Sequence, residues 1–204
     1  IDYLATLLSD WPTLVRVLTK KADLIGSDEE RASVWRRVGE TRRDMLEDSD
    51  GAVADYERAF ELDPMSAYTI DCLIELYEQK DDAKRLVELY QRRVELAGDD
   101  DQDLKFSLLV QSADRWEKQL KDRPAAIDTL RSALDVRPAD RLVLRKLEEL
   151  YRAESMWSEL LDTLRLEASV ADTVDDRVGL RREIGGLLAG ELAEPNEADR
   201  KSVV

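Results

Sequence analysis

Apolar residues recur at helical spacing almost from end to end of this 204-residue chain. Leu14, Val15 and Leu18 share one helical face; Leu86, Val87 and Tyr90 repeat the arrangement 72 residues later, and Leu160, Leu161 and Leu164 a further 74 on. Strand-type alternation is absent. Breakers separate the apolar stretches: Ser9-Asp10, Gly26-Ser27-Asp28, Asp48-Ser49-Asp50-Gly51, Asp63-Pro64, Gly98-Asp99-Asp100, Arg123-Pro124, Arg137-Pro138 and Glu194-Pro195. Asp or Ser ahead of a helical run offers an oxygen to the exposed N–H groups of the first turn, where Pro is also tolerated. This punctuation predicts helices near 11–25, 28–47, 50–62, 66–79, 82–97, 101–121, 124–136, 139–153, 156–170 and 174–193, with short pieces at 2–8 and 196–204. Connections of two to five residues oblige each helix to lie antiparallel beside its predecessor.

The pattern also repeats. Pro64 and Pro138 are 74 residues apart, and Gly39/Ala113, Ala52/Ala126, Tyr56/Leu130 and Ala59/Ala133 keep that offset. Matched small and large residues at a fixed period point to stacked helical hairpins instead of one globular core. Trp35, Val38 and Gly39, followed by Ala52, Tyr56, Ala59 and Pro64, resemble the tetratricopeptide repeat (TPR) family, with Arg42 where that motif has tyrosine. A second copy runs through Leu109, Ala113, Trp116, Ala126, Leu130, Ala133 and Pro138, and a third opens at Ile184-Gly185 and reaches Ala198. More divergent hairpins carry Ile70, Leu73 and Tyr77, then Leu144, Leu147 and Tyr151, with second helices from Ala83 and Trp157. Start points at Trp35, Ile70, Leu109, Leu144 and Arg181 are spaced 35, 39, 35 and 37, slightly above the family's usual period of about 34.

The resemblance implies an all-α, right-handed α-solenoid of about five hairpins. It forms one TPR-like domain over 1–204, divided near 1–27, 28–65, 66–98, 101–138, 139–171 and 174–204. Gly39, Ala113 and Gly185, with Ala59 and Ala133, are expected to admit close helix approach. Trp11, Trp35, Trp116, Trp157 and Tyr56 are expected to pack between hairpins.

Composition narrows the function. The formal charge is −15, from 46 acidic and 31 basic residues, which disfavours nucleic-acid and membrane-surface binding. No run of about 18 apolar residues exists to span a bilayer. The single cysteine, Cys72, allows no internal disulfide and leaves the compartment open, with a cytoplasmic one favoured. The chain starts on Ile1 and reads as a piece of a longer protein. The terminal Lys201-Ser202-Val203-Val204 has the look of a PDZ ligand but falls within an unfinished repeat.

Chemistry is sparse. With no histidine, the commonest general base, the usual zinc ligands and every His-containing triad are missing. No phosphate-cradling Gly-rich loop occurs, and Asp99-Asp100-Asp101 lacks the alternation of a calcium loop. The arginine pairs Arg36-Arg37, Arg42-Arg43, Arg92-Arg93 and Arg181-Arg182 stand among acids at helical spacing and read as solvated ion pairs within helices. No cofactor, no metal and no catalysis are expected.

In TPR proteins the first helix of each hairpin lines a concave groove that holds a peptide or helix. The matching positions here are Arg36, Glu40, Arg43, Tyr68, Asp71, Glu75, Asp114, Arg145, Glu149 and Arg152, beside Val110 and Glu117. Their mixed charge suits a partner segment bearing both basic and acidic side chains. The carboxylate-clamping subclass needs Asn at such places, and none is present. Two rivals are a helical regulatory or substrate-presenting region of a larger enzyme, and self-association through exposed solenoid ends.

Overall fold

The computed structural model describes residues 6–98 and 100–192. Ten α-helices, and no strand, lie among them: α1 (Trp11–Leu24), α2 (Asp28–Met45), α3 (Ser49–Leu62), α4 (Ala67–Lys80), α5 (Ala83–Leu96), α6 (Gln102–Lys118), α7 (Arg123–Val136), α8 (Arg141–Ala153), α9 (Trp157–Val170) and α10 (Val174–Ala189). The fold is all-α, and its hairpins follow the TPR plan. Contacts gather these helices into two compact units, α1–α5 and α6–α10, in each of which consecutive helices pack together. The expected pieces at 2–8 and 196–204, Ala198, Asp99, Pro195 and the last four residues lie wholly or partly outside the described residues.

Helix starts follow the punctuation closely. Asp10, Ser27, Asp48, Ser66, Asp82, Asp122, Asp140 and Thr173 each accept a hydrogen bond from a first-turn N–H. Only Met156, at α9, stands at such a position without a side-chain cap among the caps described. Several helix ends come earlier than expected, at Met45, Lys118 and Ala189 in place of 47, 121 and 193.

The hairpin turns explain the first two. In each hairpin one non-glycine residue takes a left-handed conformation: Glu47 at φ 54°, Asp81 at 53°, Lys121 at 58° and Ser155 at 57°. The next N–H then returns to the preceding helix, Asp48 to Arg42 O (3.0 Å), Asp82 to Tyr77 O (3.2 Å), Asp122 to Trp116 O (2.9 Å) and Met156 to Tyr151 O (2.8 Å). That same residue is the N-cap of the following helix. Two residues thus end one helix, reverse the chain and begin the next. The left-handed residue costs about 1–2 kcal/mol, offset by the two ends it satisfies.

In the first unit, Leu14, Leu18 and Ala22 of α1 pack on Trp35 and Val38 of α2 and on Ala59 of α3. Tyr56, Ile70, Leu73, Leu76 and Leu89 join α3, α4 and α5. A Cβ at Gly39 would meet the Tyr56 ring at 3.0 Å, so glycine lets that ring lie directly on the α2 backbone. In the second unit Leu130, Ala133, Leu144, Leu147 and Leu164 are almost fully buried. Each large one contributes about 1.5–3 kcal/mol. Gly185 departs from expectation: nothing lies within 4 Å of a Cβ built there. Its helix, α10, buries no residue, so no neighbour needs the space. Trp35 is buried, whereas Trp11, Trp116 and Trp157 are half-buried.

Candidate functional site

Polar side chains reach between the first helices of successive hairpins, from α2 to α4, from α6 to α8 and from α8 to α10. Arg36 Nη1 reaches Asp63 Oδ2 at 3.0 Å and the Ser66 hydroxyl at 3.2 Å. The Tyr68 hydroxyl donates to Glu40 Oε1 at 2.6 Å, which holds the phenol protonated well above its ordinary range. Arg43 Nη1 lies 3.4 Å from Cys72 Sγ and 3.5 Å from Glu75 Oε2. Lys146 pairs with Asp114, and Arg152 with Glu183.

The ten expected groove positions therefore fall on first helices, but many are engaged with a neighbouring helix. Asp71 accepts from Arg93 Nε at 2.8 Å, and Arg145 Nε stands 3.5 Å from Glu167 Oε1. Tyr68, Asp71, Glu75, Arg145 and Glu149 remain exposed; Arg36, Glu40, Arg43, Asp114 and Arg152 are half-buried. The reading of the arginine pairs as intrahelical needs correction for Arg36, Arg42 and Arg93, which bridge helices, whereas Arg43 pairs with Asp44 on its own helix at 2.7 Å and also reaches Glu75 on α4 at 3.5 Å. Helix geometry puts i,i+4 acids within reach, but an acid on a packed neighbouring helix lies equally near, as Asp55 does to Arg42 and Asp71 to Arg93. Arg92, bonded to Glu95 at 3.1 Å, does pair within its helix. Arg42, at the position of the motif tyrosine, places Nε 2.8 Å from the buried Asp55 Oδ2 and Nη1 2.6 Å from Asp48.

The second unit holds a feature absent from the sequence expectations. Helix α10 packs on α9 without burying a residue of its own, and two cavities follow one another along its seam with the α8–α9 hairpin. The first, about 330 Å³, is lined by Arg141, Arg145, Glu148, Glu167, Asp175, Asp176, Gly179, Leu180 and Glu183. The second, about 340 Å³, is lined by Arg152, Trp157, Leu160, Leu164, Glu183, Gly186, Leu187, Gly190 and Glu191. The first is walled by charge, the second largely by apolar groups.

Glu148 and Glu167 carry the chemistry of the first cavity. Both are buried, at 7% and 4% exposure. Glu148 Oε1 has no hydrogen-bond partner among the described residues, and Oε2 lies 3.4 Å from Arg152 Nη2. Burial, then the Glu167 carboxyl beside it, pushes Glu148 up to about 8, against the pull of Arg152. The sequence carried a signal for both. Glu148 follows Leu144 by four residues and Glu167 follows Leu164 by three, so each acid stands on an apolar stripe. Among the described residues no group of three or more Cys, Asp or Glu is arranged to hold a metal ion, and no helix is long and apolar enough to cross a membrane.

No family model and no curated protein matches the chain. Solved structures with similar folds include MamA, at 13% identity over 83% of this chain and 93% of that one, with a TM-score of 0.46. The N-terminal domain of stress-induced protein-1 from C. elegans is 20% identical over 62% and 98%, at 0.45. YrrB, a TPR protein with an unusual peptide-binding site, is 16% identical over 87% and 85%, at 0.43. All three scores lie below one half. The TPR-like character of the chain rests on its own hairpins and on the small-residue contact of Gly39 with Tyr56.

Proposed function

We propose that this chain is a non-catalytic protein-interaction scaffold that binds a peptide or helix of a partner protein along its first-helix faces. The observation that carries this reading is that first-helix faces within each unit present charged or aromatic side chains to solvent. Tyr68, Asp71 and Glu75 stand exposed on α4, and Arg145 and Glu149 on α8. The neighbouring ion pairs between first helices hold these backbones in place before any partner arrives, which limits the ordering cost of binding. Mixed charge of this kind selects a partner segment with both basic and acidic groups.

The test is charge reversal at exposed positions, Glu75→Lys, Arg145→Glu and Glu149→Lys, with affinity for a co-purified partner measured by calorimetry. At least one reversal on a binding face should weaken affinity about tenfold or more while the far-UV circular dichroism spectrum stays unchanged. Equal affinity across the whole set would refute the face assignment.

A further inference from the structure

The cavity between α8, α9 and α10 has an electrostatic demand that its own residues do not meet. Five carboxyl groups line it against two guanidinium groups. Arg141 is taken up by Asp172 at 3.1 Å and Asp176 at 3.5 Å. Arg152, just outside, is bonded to Glu183 and reaches Glu148 Oε2 only at 3.4 Å. Arg145 is 64% exposed at its side chain and comes no nearer than 3.5 Å to Glu167. A close charge-assisted hydrogen bond runs about 2.7–2.9 Å, so neither buried glutamate has one from a resident cation. Two carboxyl groups this deeply buried cannot both ionise side by side without compensation.

We propose that this cavity receives the guanidinium group of a partner's arginine side chain, which seats between the buried carboxyl groups of Glu148 and Glu167. The planar fork of a guanidinium can serve two carboxylates at once, whereas an ammonium group acts as a point charge. A metal ion does not suit the arrangement, since no three acids converge with ligating geometry among the described residues. The apolar cavity beyond Glu183, with Trp157 and Leu187, lies along the same seam and suits an apolar neighbour of that arginine. The proposal rests on the interaction reading only for the source of the arginine; the cavity itself is tested without a partner.

Proton displacement gives the binding a signature. The charged groups around Glu148 are Arg141, Arg145 and Arg152 on its own helix, Glu167 from α9, and Asp175, Asp176 and Glu183 from α10. Because Glu148 keeps its proton into the neutral range, an entering cation must expel it, and affinity should rise with pH.

The probe is Nα-acetyl-arginine amide, with Nα-acetyl-citrulline amide as its uncharged isostere. Titrations of the full chain are followed by carboxyl carbon NMR at labelled glutamate. The arginine compound should shift the Glu148 and Glu167 signals, with affinity rising up to about tenfold per pH unit below the Glu148 titration. The citrulline compound should leave those signals in place, and Glu148→Gln or Glu167→Gln should lower arginine affinity about tenfold or more. Equal response to both compounds, a pH-independent affinity, or unmoved signals at millimolar excess would overturn the proposal. Partner binding that survives Glu148→Gln but fails with Glu149→Lys would sink this inference and leave the scaffold reading standing.

Discussion

Gly39 and Gly185 occupy equivalent places in the repeat, yet the same substitution should act on them in opposite directions. A methyl group at Gly39 would fall 3.0 Å from Tyr56 Cδ2 and Cε2 and 3.2 Å from Cγ. Carbon atoms prefer about 3.5–4.0 Å, so the ring must retreat by roughly half an ångström. Tyr56 is wholly buried and has nowhere to go. Overpacking of this kind costs about 1–3 kcal/mol. Replacing glycine within a helix returns about 0.8–1.0 kcal/mol, which leaves Gly39→Ala destabilising by about 0–2 kcal/mol. At Gly185 no atom lies within 4 Å, so Gly185→Ala should keep its whole helical gain. Urea midpoints of the full chain, read at constant slope, give both differences. In a Tyr56→Leu background the Gly39→Ala penalty should vanish or change sign. If Gly39→Ala stabilises the natural chain as much as Gly185→Ala does, close contact between α2 and the ring is not what fixes this hairpin.

Three further outcomes are expected. Arg42→Met takes the nearer of two guanidinium groups from the buried Asp55 carboxylate and leaves Arg58 at 3.6 Å; an under-compensated buried polar group costs about 1–3 kcal/mol, and the double variant with Asp55→Leu should recover much of the lost urea midpoint. Asp82→Ala removes the acceptor of the Arg85 N–H at 3.1 Å and should lower stability by about 1 kcal/mol, measurable in the same way. Glu148 titrates near its ordinary 4.5 when unfolded but at about 8 when folded, so the folded chain binds the extra proton between those values. That contribution to stability is complete below about pH 4.5, declines as pH rises and is gone above about 8. Unfolding midpoints of the natural chain minus those of Glu148→Gln, collected from about pH 5 to 9, should trace that fall; a flat or rising difference would contradict it.

Much of the fold was readable from residue order. N-caps are local chemistry, so Asp10, Ser27 and Asp48 declared their helices, and the offset of 74 linked Gly39 to Ala113 and Tyr56 to Leu130. Helix ends were harder, because Glu47, Asp81, Lys121 and Ser155 take left-handed conformations usually assigned to glycine. Their spacing of 74 residues from Glu47 to Lys121 and from Asp81 to Ser155 was the available clue. The first-helix positions were placed on the right elements, but which of them would bridge to a neighbour depends on distances between hairpins that periodicity does not encode. Glu148 and Glu167 belong to no motif, and only their places on the apolar stripes of Leu144 and Leu164 point to burial.

Ser66 ties two levels of organisation to one atom. Its hydroxyl oxygen accepts from the Thr69 N–H at 3.3 Å, starting α4, and from Arg36 Nη1 at 3.2 Å, across the seam from α2. Fraying of α4 and separation of the adjoining hairpins consequently draw on a shared anchor. Amide protons in the opening turn of α4 should exchange with solvent in step with that separation, making Thr69 a reporter of how far an opening event spreads along the array.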